Sequence, residues 1–185
     1  MRFTWKQDLA VIAGALVACV LVGLLRYGKE IFSPSEAAFQ LLEVGVLGSV
    51  TFVAFRRAGW IGAAILAVVI VIVQYLIFQR IGHRIGWPAL VFSLVVAATI
   101  VLSAWIYHLS RGVLRFGRFI PVSVVIGLGF LAGTTLLGSL LRLEPMGLSM
   151  RINFAVGSLA GAAMALGFEL VEMAQAYLGI GRSAR

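Results

Sequence analysis

The chain has 185 residues, 62% of them hydrophobic and only 12% charged, with a net charge of +8 and a mean hydropathy of +1.07. A soluble domain carries about 25% charged residues, so this composition excludes one: lipid must cover the surface that charge cannot. The basic residues sit in short loops between apolar segments, where the positive-inside effect and anionic headgroups account for them, and nucleic acid is not an expected partner.

An α-helix needs roughly 20 apolar residues to cross the hydrocarbon, and six segments approach that length: 9–25, 37–55, 59–78, 88–107, 119–141 and 152–171. In lipid the backbone must be satisfied within each segment, which leaves the helix as the form it takes. The expected fold is therefore all-α, a polytopic integral membrane bundle of six transmembrane helices forming one domain over 1–185, with no intervening stretch long enough to fold alone.

The first segment is the shortest. Ala10, Gly14 and Ala18 recur on one face at four-residue spacing, a pattern that lets helix backbones approach closely, either within the bundle or against a partner subunit. Leu16-Val17-Ala18-Cys19 resembles a lipoprotein processing box, but the chain continues apolar through Leu25, so a buried inert thiol fits Cys19 better. A lone cysteine permits no intrachain disulfide.

The second segment is the most polar. Ser33-Pro34-Ser35-Glu36 reads as a capping box at its start, and Glu43 lies on the same helical face as Gln40 and Glu36. The third segment carries Gln74. The fourth opens at Pro88 and ends beside Tyr107 and His108. His83 and His108 are 25 residues apart, about 37 Å along a helix, so they fall at opposite membrane faces and cannot share a haem. The fifth segment has Gly129 and Gly133 at small-residue spacing. The sixth has Gly157 and Gly161, continuing through Ala165 to Glu169 and Glu172, which read as an interfacial, water-facing pair. Pro34, Pro88, Pro121 and Pro145 all fall between segments or at their starts, where proline loses no hydrogen bond. Trp5, Trp60, Trp87 and Trp105 lie near boundaries, as amphipathic rings prefer.

Orientation follows from the fifteen Lys and Arg residues. Arg2, Lys6, Arg56, Arg57, Arg111, Arg115, Arg118, Arg182 and Arg185 fall on one side, and Arg26, Lys29, Arg80, Arg84, Arg142 and Arg151 on the other. The richer side is expected to be cytoplasmic, with both termini on it.

No zinc spacing, HExxH, G-x-S-x-G or phosphate-cradling loop is present, so no catalytic residue, metal or cofactor is expected. The informative residues are the polar ones inside the membrane, each costly to insert. With alternating helix directions, Glu43, Gln74, Thr134, Thr135, Ser139, Asn153 and Ser158 share the outer half, with Arg142 and Arg151 at its rim. Ser103, Ser123 and Thr51 fall in the inner half. Convergent polar groups in an apolar bundle suggest a ligand pocket, here built from Gln40, Glu43, Gln74, Thr134, Arg142, Arg151 and Asn153. The leading expectation is a multi-pass protein of a cell membrane, of bacterial inner-membrane type, that binds or transports a small molecule without an energy-coupling motif of its own. A structural or assembly subunit, docked to a membrane partner or a second copy, is the alternative. A lipid-modifying enzyme would need Glu169, Glu172, Arg111 and His108 gathered at the cytoplasmic side, and nothing in the sequence brings them together.

Overall fold

The structure is a computed structural model and describes residues 4–27, 44–81, 86–114, 116–141 and 147–178. Among these residues every regular element is helical, and five helices are long and apolar enough to cross a membrane. They are α1 (Trp5–Tyr27), α2 (Ser49–Ile81), α3 (Trp87–Ser110), α4 (Phe119–Leu140) and α5 (Gly147–Tyr177).

Most helices run past their apolar segments because local chemistry closes their ends. α1 begins four residues before its apolar run. Thr4 Oγ1 accepts from the Gln7 amide at 3.3 Å while Gln7 Oε1 accepts from the Thr4 amide at 2.7 Å, a reciprocal capping box that recruits the polar first turn. α3 begins behind Gly86, whose φ of 61° suits glycine, with Pro88 in the first turn. α5 extends through Tyr177, six residues beyond the expected end, and carries Glu172 within the helix.

The expected segments 37–55 and 59–78 meet in α2, which a π-helical turn over residues 44–48 precedes. Gly59 sits inside α2 with φ 58° and ψ −141°, outside helical space. A Cβ on Gly62 would lie 2.7 Å from the Ala54 carbonyl oxygen, yet eight residues of continuous helix span about 12 Å. The chain therefore doubles back at Gly59. Before it, Val44 lies beside Val96 and Ile100, and Phe52 packs on Tyr107. After it, Trp60 packs on Trp105, and Ile72 shares a groove with Leu94. The two limbs of α2 thus run in opposite directions along α3. Only a residue free to adopt positive φ makes so tight a reversal without strain.

The helices pack in the sequence α1 on α5, α5 on α4, α4 on α3 and α3 on α2. Small residues set the closest approaches. Gly14 and Ala18 of α1 meet Gly167 of α5, and Gly14 also meets Val171. Gly157 and Gly161 lie against Ile126 of α4, where a Cβ on Gly161 would come within 2.8 Å of the Ile126 Cβ. Gly129 and Gly133 of α4 lie against Thr99 and Phe92 of α3. Ala10 is the exception in the first-helix stripe: it is exposed, while its neighbours Val11, Ala15 and Cys19 are fully buried. The small stripes are thus occupied by this chain's own helices.

Candidate functional site: a buried charge cluster at one end of the bundle

The reversal at Gly59 brings one end of every helix to a common level. The start of α1, the end of the first limb of α2, the end of α3, the start of α4 and the end of α5 meet there, and their ionisable residues form one cluster: Asp8, Arg56, Arg57, Arg111, Arg118, Glu169 and Glu172.

Glu172 is the hub. Its Oε1 accepts from Arg56 Nη1 at 2.9 Å and from Arg111 Nη2, and its Oε2 accepts from Arg118 Nη1 at 3.1 Å and the Tyr107 hydroxyl at 3.2 Å. Asp8 is a second bridge, accepting from Arg56 on one oxygen and from Arg57 on the other. Glu169 is a third acid. Its Oε1 accepts from Arg118 Nε at 3.0 Å and from the Arg118 backbone N–H at 3.3 Å, while its Oε2 has no partner among the described residues. Glu169 is fully buried, and the Arg56 side chain is only 2% exposed. Burial alone would push the Arg118 guanidinium down, but Tyr107, Glu169 and Glu172 around it hold it above its usual value, so it stays a cation.

An aromatic layer underlies the charges. Phe52, Tyr107 and Phe168 form a triangle with centroids 5.1, 5.4 and 5.7 Å apart, and all three are fully buried. Arg118 lies 4.7 Å over the Tyr107 ring and Arg56 5.6 Å over the Phe168 ring, so these rings also take part of each cation's field. Beside the triangle, His108 stacks on Phe55 at 5.3 Å and its Nε2 donates to the Phe52 carbonyl at 3.1 Å. Ion pairs and packed rings thus form two adjoining layers at this end of the bundle.

This arrangement corrects the reading of Glu169 and Glu172 as a water-facing pair. Both face inward, because Arg56, Arg111 and Arg118 converge on them from three other stretches of chain. The signal available in the sequence was that Arg56, Arg111, Arg118, Glu169 and Glu172 all lie within four residues of a segment end, which only matters once the helix directions are known.

Only part of the expected outer set falls within the described residues. Gln40, Glu43 and Arg142 lie outside the described residues. Arg151 is exposed on the first turns of α5. Asn153 donates to Thr134 Oγ1 at 3.1 Å, joining α5 to α4. Gln74 is buried, and neither its Oε1 nor the Ser158 hydroxyl has a partner among the described residues. A groove of about 550 Å³ runs between the second limb of α2 and α3, from Trp60 and Leu102 at one end to Ile72 and Leu94 at the other, and its lining is aliphatic apart from Trp60. Among the described residues no group of three or more His, Cys, Asp or Glu is placed to hold a metal ion. No family model, no curated protein and no solved structure matches the chain.

Proposed function

We propose that the chain is a six-span membrane protein with both termini on the cytoplasmic side, that it binds or translocates a small solute, and that the charge cluster is its cytoplasmic closure. The observation that carries this reading is Glu172 held by three arginines that arrive from three separate stretches of chain at one end of the bundle. Buried ion pairs are a poor way to gain stability, since removing charge from water costs about what pairing returns, and their best-attested use is to specify or switch an arrangement. Ionisable residues within membrane helices point to function by default. A seal of ion pairs over an aromatic layer reopens by hydration of its own groups, which an apolar plug of the same size cannot do. The reversal at Gly59 and the common level of all helix ends support six crossings, and the nine-to-six excess of Lys and Arg supports the orientation.

The lipid-modifying reading gains one observation, because Tyr107, His108, Arg111 and Glu172 do meet. It is the weaker of the two: four donors saturate Glu172, leaving no lone pair for proton transfer to a substrate.

The closure is tested in a Cys19→Ser background carrying Ser103→Cys, one turn inside Tyr107 on α3 and fully buried. Membrane-impermeant thiol reagents should leave this cysteine unmodified, and adding Glu172→Gln should open it to reagent from the cytoplasmic side. Continued protection in a folded Glu172→Gln protein sinks the closure and leaves a purely structural clamp. Purification in mild detergent tests the solute: a retained small molecule supports the reading, and a co-purifying membrane subunit in its place favours the assembly alternative. Labelling of Arg57→Cys and His83→Cys from the same side would exclude six crossings.

A further inference from the structure

The turn joining α3 to α4 carries both exposed apolar side chains and arginine, Arg111-Gly112-Val113-Leu114-Arg115-Phe116-Gly117-Arg118. Val113 is 84% exposed and Phe116 50%, and Leu109, on the last turn of α3, is 62% exposed. The backbone around Val113 is already satisfied: the amides of Arg111, Gly112, Val113 and Leu114 donate to the last carbonyls of α3. A turn with bonded amides enters the boundary between headgroups and acyl chains at little cost, whereas open amides would not. Arg111 is half-exposed, and its bond to Glu172 uses Nη2. A guanidinium has five donors in a planar fork that matches phosphate geometry, so Arg111 has donors for a second oxyanion while keeping Glu172.

We propose that this turn is a contact site for anionic phospholipid, with Val113 and Phe116 inserted among the acyl chains and the Arg111 guanidinium bridging a lipid phosphate and Glu172. The site would link the charge of the surrounding leaflet directly to the hub of the closure. The inference depends on the chain crossing a bilayer, as in the reading above, and not on what it translocates. Charge decides the occupant: a basic turn with apolar side chains suits an anionic headgroup layer better than a zwitterionic one.

The test is native mass spectrometry of the full chain released from nanodiscs of phosphatidylcholine mixed with phosphatidylglycerol. The wild-type chain should retain phosphatidylglycerol in preference to phosphatidylcholine. Arg111→Gln should lower that preference about fivefold, the worth of one basic residue at an anionic surface, while Arg111→Lys should keep part of it. Val113→Ser/Phe116→Ser leaves every ion pair intact and should lower total lipid retention. Equal retention of the two lipids by the wild type, which would leave this face to a protein partner, overturns the proposal. So does a preference that neither Arg111→Gln nor Val113→Ser/Phe116→Ser changes. Both outcomes are independent of the thiol labelling at position 103, so this inference and the closure fail separately.

Discussion

At the charged end, Glu172 takes hydrogen bonds from Arg56, Tyr107, Arg111 and Arg118, side chains that all belong to other elements. At the far end, Ser93, Thr134 and Ser139 donate to carbonyls one turn back on their own helices, at 2.7, 2.8 and 2.9 Å, while Asn153 reaches across to Thr134 on a neighbouring helix. The contrast has a simple chemical origin. A hydroxyl in a membrane helix finds an acceptor within its own backbone. A guanidinium or a carboxylate has no such local solution and must reach another element or water. Counting polar residues by depth therefore overstates the far end, rich in hydroxyls, and understates the charged end, where fewer residues do more of the joining.

The sharpest way to break this contrast is to remove the hub. Glu172→Ala leaves three guanidiniums without their shared acceptor, and truncating one partner of a buried ion pair costs about 3–5 kcal/mol. Reversible unfolding in mixed micelles by added dodecyl sulfate should show a loss of that size. A loss below about 1 kcal/mol would mean that water already screens the cluster.

The next effect should come from the contact that holds α1 to α5. Gly167→Leu places a branched side chain where even a Cβ would sit 2.8 Å from the Ala18 Cβ. Overpacking of this kind costs about 1–3 kcal/mol, and the same unfolding experiment should report it.

At the far end the expected sign reverses. Gln74 is 1% exposed and its Oε1 has no partner, a burden of about 1–3 kcal/mol for a buried polar group. Gln74→Leu should therefore raise stability by about 1 kcal/mol. A loss of stability instead would show that Gln74 is satisfied in the folded protein, and would favour the outer half as a ligand site.

The smallest effect belongs to the bond from Asn153 of α5 to Thr134 of α4. Thr134→Val removes the acceptor for Asn153 and should cost about 0.6 kcal/mol, the average for such bonds between membrane helices. A cost comparable to that of Glu172→Ala would erase the contrast between the two ends.

Part of this was legible without coordinates. The apolar lengths located the helices, and the glycine stripes marked where they approach, since both follow from bilayer thickness and backbone sterics. The helix ends were less legible: the Thr4–Gln7 capping box that starts α1 lies in a polar stretch that hydropathy discards. Glu169 and Glu172 were visible as a same-face pair and Arg56, Arg111 and Arg118 as loop cations. Whether each pointed at water or at the others depended on facts that no local pattern contains.

The sequence by itself determined that the chain is helical and carries segments long and apolar enough to cross a membrane, because hydrocarbon tolerates no unsatisfied backbone and the composition offers too little charge for water. It also determined which residues are small enough for close packing. Only the tertiary structure decided that the charges form one cluster. That required the reversal at Gly59, which sets the direction of each later helix, and the rotation of α5, which turns Glu169 and Glu172 toward the arginines. Pairing across 48 to 116 residues of chain is a property of helix direction and rotation, and both are fixed by packing between elements and not by the sequence within any one of them.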